Sequence, residues 1–186
     1  AAYCAATENH LQIIRLLHQL RADLDKPNTV DGATPAYIAA QQGHTAMVQL
    51  LYDLGADVHR ARNDGGCPIH NAAMRGQDKT VVLLLPLRAS IDAQDNEGRT
   101  PCWNAASVGQ AKVLRLLILH SADLERAPHK NHDGPLFVAA AGNEPECIAA
   151  LASAKASLNA CHRDGCSPIG RAAQQGADEC VRLLAY

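Results

Sequence analysis

The side chains best suited to bind a metal lie near the C-terminal end of the chain. Cys161, His162 and Cys166 fall within six residues, and His129 and His132 precede them. Thiolate and imidazole are ligands that zinc prefers. However, the four-residue gap between the two cysteines is wider than the two-residue gap of the commonest zinc pairs, and separate loops would have to supply the other ligands. We therefore expect no metal site.

Acidic residues recur along the chain, each directly before a glycine: Asp31, Asp64, Glu97 and Asp164. A ladder of carboxylates could hold cations, but Asp beside Gly is also what a tight turn selects through local hydrogen bonds. Turn chemistry explains the column without an ion. The sequence contains no Gly-rich phosphate loop, His-Glu helix motif or nucleophile elbow. We predict a non-catalytic protein that uses no cofactor.

Aromatic residues also recur at one spacing. Four of the six in the chain form a column: Tyr3, Tyr37, Trp103 and Phe137. Stacking on a ligand is one hypothesis for such a column. Packing beneath the next structural element is simpler, because aromatic side chains are usually at least half-buried. We predict packing, with Trp103 as the member closest to solvent.

Composition excludes several classes of partner. The chain of 186 residues carries 17 Lys and Arg against 19 Asp and Glu, and they are scattered, so no basic face for nucleic acid is predicted. The longest apolar stretch, 81–87, contains Pro86 and is far shorter than a membrane span, so we expect no direct membrane insertion. Seven cysteines without the spacing of a disulfide scaffold favour an intracellular compartment, cytoplasmic in the first place and organellar in the second.

The elements that position these residues are repeats. The pairs Thr34-Pro35, Cys67-Pro68 and Thr100-Pro101 are separated by 33 residues each time. Alanine pairs follow the same period: they begin at Ala5, Ala39, Ala72, Ala105, Ala139 and Ala172. The period predicts a single array over 1–186 with six repeats, the first and last incomplete. Their approximate bounds are 1–28, 29–61, 62–94, 95–128, 129–161 and 162–186.

Each repeat predicts a helix-turn-helix. A hydroxyl residue before proline is typical of a helix start, as in Thr34-Pro35. The alanine pair follows, and the first helix ends at a column that contains only Gly and Asn: Asn9, Gly43, Gly76, Gly109, Asn143 and Gly176. These two residue types enter the left-handed conformation at low cost. Paired apolar residues at helical spacing, such as Val113-Leu114 and Leu116-Leu117, predict a second helix with one buried face.

The segment DGATPAYIAAQQGHTAMVQLLYDLGADVHRA resembles the ankyrin repeat, and the resemblance extends through essentially the whole chain. It implies an all-α solenoid of stacked helix-turn-helix units joined by β-hairpin-like fingers. The first-helix column that usually carries His has it only at His70. The column that usually carries Gly before the next hairpin reads Arg21, Gly55, Arg88, Ser121 and Lys155, so we expect a less uniform backbone there. In the fifth repeat, 132–135 replaces the usual turn and cap, which predicts an irregular finger.

The resemblance implies a function as well: a scaffold or adaptor that binds another protein on its concave face of fingers and first helices. We predict contacts at ten finger and helix-end positions of the middle repeats: Asn63, Asp64, Gly66, Met74, Arg75, Asn96, Glu97, Arg99, Ser107 and Val108. Arg75, Arg99 and Met74 are the strongest candidates, because interface energy concentrates in arginine, aromatic and adaptable apolar side chains.

Two other functions are consistent with the sequence. No polar capping repeat is visible at either end, and exposed apolar ends are poorly soluble, so we expect a longer chain or a larger complex to cover them. The array would then be an architectural subunit of a large assembly, conceivably organellar, whose permanent interfaces are large and apolar. Alternatively, it is the targeting module of a longer enzyme or channel.

Overall fold

The computed structural model describes residues 1–128, 130, 132–160 and 162–185. Over these residues it contains twelve helices and no strand, and the chain forms two compact units, Ala1–Ser90 and Ile91–Tyr186. The helices of the first unit are α1 Ala2–Thr7, α2 Leu11–Gln19, α3 Pro35–Gln42, α4 Thr45–Asp53, α5 Pro68–Met74 and α6 Asp78–Leu84. Those of the second are α7 Pro101–Ser107, α8 Ala111–Leu119, α9 Pro135–Ala141, α10 Pro145–Ser153, α11 Pro168–Gln174 and α12 Asp178–Leu184.

Both units are built from helical hairpins stacked in two rows. In the first unit, α1, α3 and α5 pack in one row, and α2, α4 and α6 pack in the other. In the second unit, α7, α9 and α11 form one row, and α8, α10 and α12 the other. The alanine pairs lie at the centre of the first rows, where small side chains allow close helix contact: Ala6, Ala40, Ala106 and Ala140 are all 0% exposed. The predicted stack of helix-turn-helix units is confirmed within each unit.

The starts of the first helices follow the predicted chemistry. The side-chain oxygens of Thr34, Thr100 and Ser167 accept hydrogen bonds from the amides three residues later, so each caps a helix whose first residue is proline. In α9 the N-cap is Gly134, which has no side chain to cap the helix. Two residues before it, His132 has φ of 58°, at the position where Gly32, Gly65, Gly98 and Gly165 also have positive φ, so the irregular finger stays a prediction. His129 and Asn131 of the same finger lie outside the described residues.

The fingers are hairpin-like turns rather than strands. The amide of Arg62 donates to the Gly66 carbonyl at 3.1 Å, and the amide of Asp95 donates to the Arg99 carbonyl at 3.1 Å. Within the first unit, the amide of Asn63 also donates to the carbonyl of Asp31 at 2.9 Å. Neighbouring fingers of that unit are therefore held together by their backbones.

The ends of the helices depend on left-handed residues. All six members of the predicted Gly and Asn column have positive φ, between 57° at Asn9 and 75° at Gly43. The expectation of a less uniform backbone in the second column was wrong. Its members all have positive φ too: Arg21 57°, Gly55 84°, Arg88 73°, Ser121 65° and Lys155 63°. The hairpin geometry imposes this conformation even where the residue is not glycine.

Candidate protein-binding site

In the first unit, the finger is fixed to the first helix by an arginine. The guanidinium of Arg62 lies over the ring of Tyr37, 5.2 Å from its centroid, in cation–π geometry. The same group pairs with both oxygens of Asp64 and lies 3.3 Å from Asp31. Tyr37 is 3% exposed, and burial raises the pKa of its hydroxyl to about 12. Its hydroxyl accepts a hydrogen bond from Asn71 at 2.7 Å, so this phenol is part of the fold's interior.

In the second unit, Arg99 makes the same kind of contact. Its guanidinium lies over the Trp103 ring, 5.9 Å from the centroid, and is 2.7 Å from Asp95 and 3.1 Å from Glu97. The indole Nε1 of Trp103 donates to the carbonyl of Asp133 at 2.8 Å. Trp103 and Tyr3 are both half-buried, whereas Tyr37 and Phe137 are buried. The tryptophan is therefore closer to solvent than two of the other three members of the column.

A third arginine completes the pattern at the end of the second unit. Arg171 lies over Phe137, 5.2 Å from the ring centroid, and 3.3 Å from the carboxylate of Asp164. Backbone and side-chain hydrogen bonds, first of all from the Cys166 amide, lower the pKa of Asp164. The imidazole ring of His162 also stacks on the Phe137 ring, at a centroid distance of 5.0 Å. Three of the four members of the aromatic column, Tyr37, Trp103 and Phe137, thus pack against arginines of the fingers and first helices.

The sequence did not reveal these three pairs because the arginines hold different repeat positions. Relative to the proline that starts the nearest first helix, Arg62 lies six residues before, Arg99 two before, and Arg171 three after. Only the aromatic column is periodic. The sequence signal for these pairs was an arginine near an aromatic position. A comparison of equivalent repeat positions does not detect it, because the arginines are not equivalent.

The predicted contact residues of the first unit divide into two groups. On the finger, Asn63 is exposed, Asp64 is half-buried beside Arg62, and Gly66 is buried with its amide donating to Asp64. At the C-terminal end of α5, Met74 is 37% exposed and Arg75 is exposed. All the preceding residues of that helix are buried. The helix end therefore offers an apolar and a cationic side chain to solvent.

The predicted contact residues of the second unit occupy the equivalent places. Asn96 and Glu97 are exposed on the finger, and Arg99 is half-buried in its ion pairs. At the end of α7, Ser107 is half-buried and Val108 is 43% exposed. Here the helix end offers a branched apolar side chain, with the finger beside it mainly acidic.

A second exposed surface lies on α2 and was not among the predicted contacts. Ile13 is 45%, Leu16 49% and Leu20 69% exposed, and their spacing places them on one stripe of the helix. The residues equivalent to Ile13 and Leu16 in α4 are Met47 and Leu50, which are 0% and 5% exposed. We name Ile13, Leu16 and Leu20 the α2 stripe.

The described residues contain no group of three His, Cys, Asp or Glu side chains placed to hold a metal ion. His129 and Cys161, two members of the cluster considered above, lie outside the described residues. Cys147 and Cys180 are both buried in the core, at 0% exposure. Burial raises the pKa of the Cys147 thiol to about 11. Where the chain is described, no helix has the length and apolar character needed to cross a membrane.

Comparisons with known proteins agree with this architecture. Two family models match the chain: ankyrin repeats in many copies over residues 2–52, and ankyrin repeats in three copies over residues 55–128. Among solved structures, the ankyrin repeat domain of Bcl-3, a member of the IkappaB protein family, superposes with a TM-score of 0.85. It is 23% identical, and the match covers 99% of this chain and 84% of that one. No curated protein sequence matches.

The fold is widely used, since 545 solved chains match it, so fold alone does not assign a partner. Ankyrin repeats generally mediate protein–protein interaction and are known as a non-catalytic module. The stacked hairpins, their left-handed turns and the two matching family models lead to one assignment: the chain belongs to the ankyrin-repeat family.

Proposed function

We propose that the chain is a non-catalytic scaffold or adaptor that holds a partner protein on its fingers and first-helix ends. One observation carries the proposal: large side chains are exposed at the ends of first helices that are otherwise mostly buried. Met74 is 37% and Val108 43% exposed, each at the point where its helix leaves the core. A thioether and a branched apolar group beside polar fingers are suited to a protein interface with an apolar centre and a polar rim.

The charges nearby favour protein over other ligands. Arg75 is exposed next to Met74, so an apolar anchor and a cation lie side by side. On the fingers, Arg62 and Arg99 are occupied by carboxylates of the chain itself. They stiffen the fingers, and a preorganised surface binds with a smaller entropic cost. We therefore rank Met74 and Arg75 above Arg99 as contact residues.

A matched set of variants tests the proposal. The native protein is captured with its bound proteins, and the captured amount of each is compared with that of Val108→Ser and Met74→Ser. Both should lose at least ten-fold in retention of one protein, because an apolar anchor at an interface centre contributes about 2 kcal/mol or more. Ile13→Ser is the control, since Ile13 is 45% exposed on the α2 stripe. Equal loss in all three variants, or none in the first two, would contradict the proposal.

The α2 stripe supports a second candidate function, an architectural subunit. Three large apolar side chains on one helix face suit a permanent apolar interface rather than a transient one. If this function is correct, Ile13→Ser releases the bound protein and Val108→Ser does not. The same experiment therefore separates the two candidates.

We infer a reducing intracellular setting, the cytoplasm before an organelle. The support is chemical: Cys4, Cys67, Cys102, Cys147, Cys166 and Cys180 are all free thiols. Measuring the thiol content of the protein isolated under alkylation tests this. Disulfide-bonded cysteines among these six would contradict it.

A further inference from the structure

The residue that precedes each second helix can reach back to the first helix of the preceding repeat. In the first unit, His44 Nε2 lies 3.1 Å from the carbonyl oxygen of Thr7, and Gln77 Nε2 donates to the carbonyl of Gln41 at 3.3 Å. Thr7 is the last residue of α1, and Gln41 is the last but one of α3. A helix cannot satisfy its own last carbonyls, so these side chains supply donors that the backbone lacks.

Before α10 this position holds an acid, Glu144. Glu144 stands two repeats after Gln77 and occupies the same place. A Cβ added to Gly109 would collide with the Glu144 carboxylate, just as a Cβ added to Gly43 would collide with the Gln77 amide. The Glu144 side chain lies near the carbonyl of Ser107, the last residue of α7. A Cβ on Gly142 would stand 3.3 Å from Glu144 Cγ and 3.5 Å from the Ser107 oxygen. An ionised carboxylate has no proton to donate to that carbonyl.

The local charge is therefore negative and uncompensated. The end of α7 carries the negative end of its helix dipole, and the Glu144 carboxylate is added to it. No described residue hydrogen-bonds to the Ser107 carbonyl or pairs with the Glu144 carboxylate. Glu144 is the N-cap residue of α10, and its side chain makes no cap hydrogen bond there. Glu146 in the first turn of α10 brings a second negative charge.

We propose that Ser107, Val108 and Glu144, here named the α7-end site, bind an arginine or lysine side chain of the partner protein. The proposal rests on the proposed function and specifies the partner's chemistry. A cationic head group can donate to the Ser107 carbonyl and to the Glu144 carboxylate together. The aliphatic stem of the same side chain packs on Val108, which is 43% exposed. Arginine fits better than lysine, because its planar fork offers several donors at once.

The site can be tested without knowing the partner. The probes are the blocked dipeptide acetyl-Leu-Arg-amide and its neutral analogue with citrulline, titrated into the whole chain and followed by NMR at the amides of Val108, Gly109 and Glu144. The arginine probe should give saturable shifts at these amides, at least ten-fold tighter than citrulline. Glu144→Gln should lose this difference, and Glu146→Gln, which removes the same charge two residues further along the chain, should retain it.

A folding defect cannot imitate this result. Glu144→Gln restores the donor that Gln77 provides in the first unit, so its urea midpoint should rise while its binding of the arginine probe falls. Equal binding by the two glutamine variants, or equal binding of arginine and citrulline, would overturn the site. Such a failure is separate from that of the proposed function, which depends on whether Val108→Ser releases a captured protein.

Discussion

The left-handed residues that end the second helices lead to a quantitative prediction about stability. Ser121 and Lys155 have φ of 65° and 63°. An L-residue in this conformation costs about 1–2 kcal/mol, and glycine avoids that cost. Glycine also increases the entropy of the unfolded chain by about 0.4–1 kcal/mol. Ser121→Gly or Lys155→Gly should therefore stabilise by roughly 0.5–1 kcal/mol, and the two together by about 1–2 kcal/mol if they add.

Urea unfolding followed by circular dichroism measures this difference. The control is the double variant Ser121→Ala and Lys155→Ala, which removes the same exposed side chains but keeps the strained backbone. We expect it to stay within about 0.5 kcal/mol of the wild type. The slope of the free energy of unfolding against urea should be unchanged in both, because the surface exposed on unfolding is the same.

The reverse change is available at Gly55 in the first unit. Its φ is 84°, and no atom lies within 4 Å of the place where a Cβ would stand. Gly55→Ala therefore adds backbone strain without a steric clash and should cost about 0.5–1 kcal/mol. If the glycine pair is no more stable than the alanine pair, and Gly55→Ala is neutral, then the hairpin ends are not strained and our reasoning is refuted.

Three further changes test the fold and its thiols. Thr100→Ala removes the cap on the Trp103 amide and should lower the free energy of unfolding in urea by about 1 kcal/mol. An unchanged midpoint would show that the cap does not stabilise the fold. Leu114→Ala, at a site that is 0% exposed, should cost about 2–5 kcal/mol in the same assay, and a smaller loss would mean that the core is loosely packed. Iodoacetamide at pH 8 should alkylate exposed Cys4 but not Cys102 in the folded chain, because burial raises the Cys102 pKa from 9.0 to about 12. The raised pKa means that the folded protein holds Cys102 as a neutral thiol. The contribution of Cys102 to the free energy of unfolding is therefore complete below pH 9 and is lost as pH rises from about 9 to 12. A Cys102→Ala variant should not show this loss.

The periodic features of the sequence predicted most of the fold. The hydroxyl caps at Thr34 and Thr100, the alanine pairs and the Gly and Asn column were all recognisable, because each residue type satisfies a local backbone requirement. The second left-handed column was judged wrongly from its residue types. At Arg88, the hairpin geometry set by neighbouring repeats overrides the preference of the residue itself.

The candidate site was less predictable because it depends on contacts between repeats. The identity of Glu144 is plain in the sequence, but its meaning depends on the observation that Gln77 reaches the carbonyl of Gln41. Likewise, the exposure of Ile13 follows from the position of α2 in its unit, since its equivalent Met47 is fully buried. Ile13 lies in α2 and Glu144 directly precedes α10, but only neighbouring elements determine whether a side chain is covered.

Crosslinking of the native protein to its bound proteins tests the central claim most directly. A carboxylate-directed reagent reports on Glu97, which is exposed on a finger, and on Glu8 and Asp23, which are exposed on either side of α2 in the sequence. We predict crosslinks from Glu97 to one protein, lost when high salt is added before the reagent, because the finger surface is polar. Salt-resistant crosslinks from Glu8 and Asp23 alone would contradict the account and assign the interface to the α2 stripe.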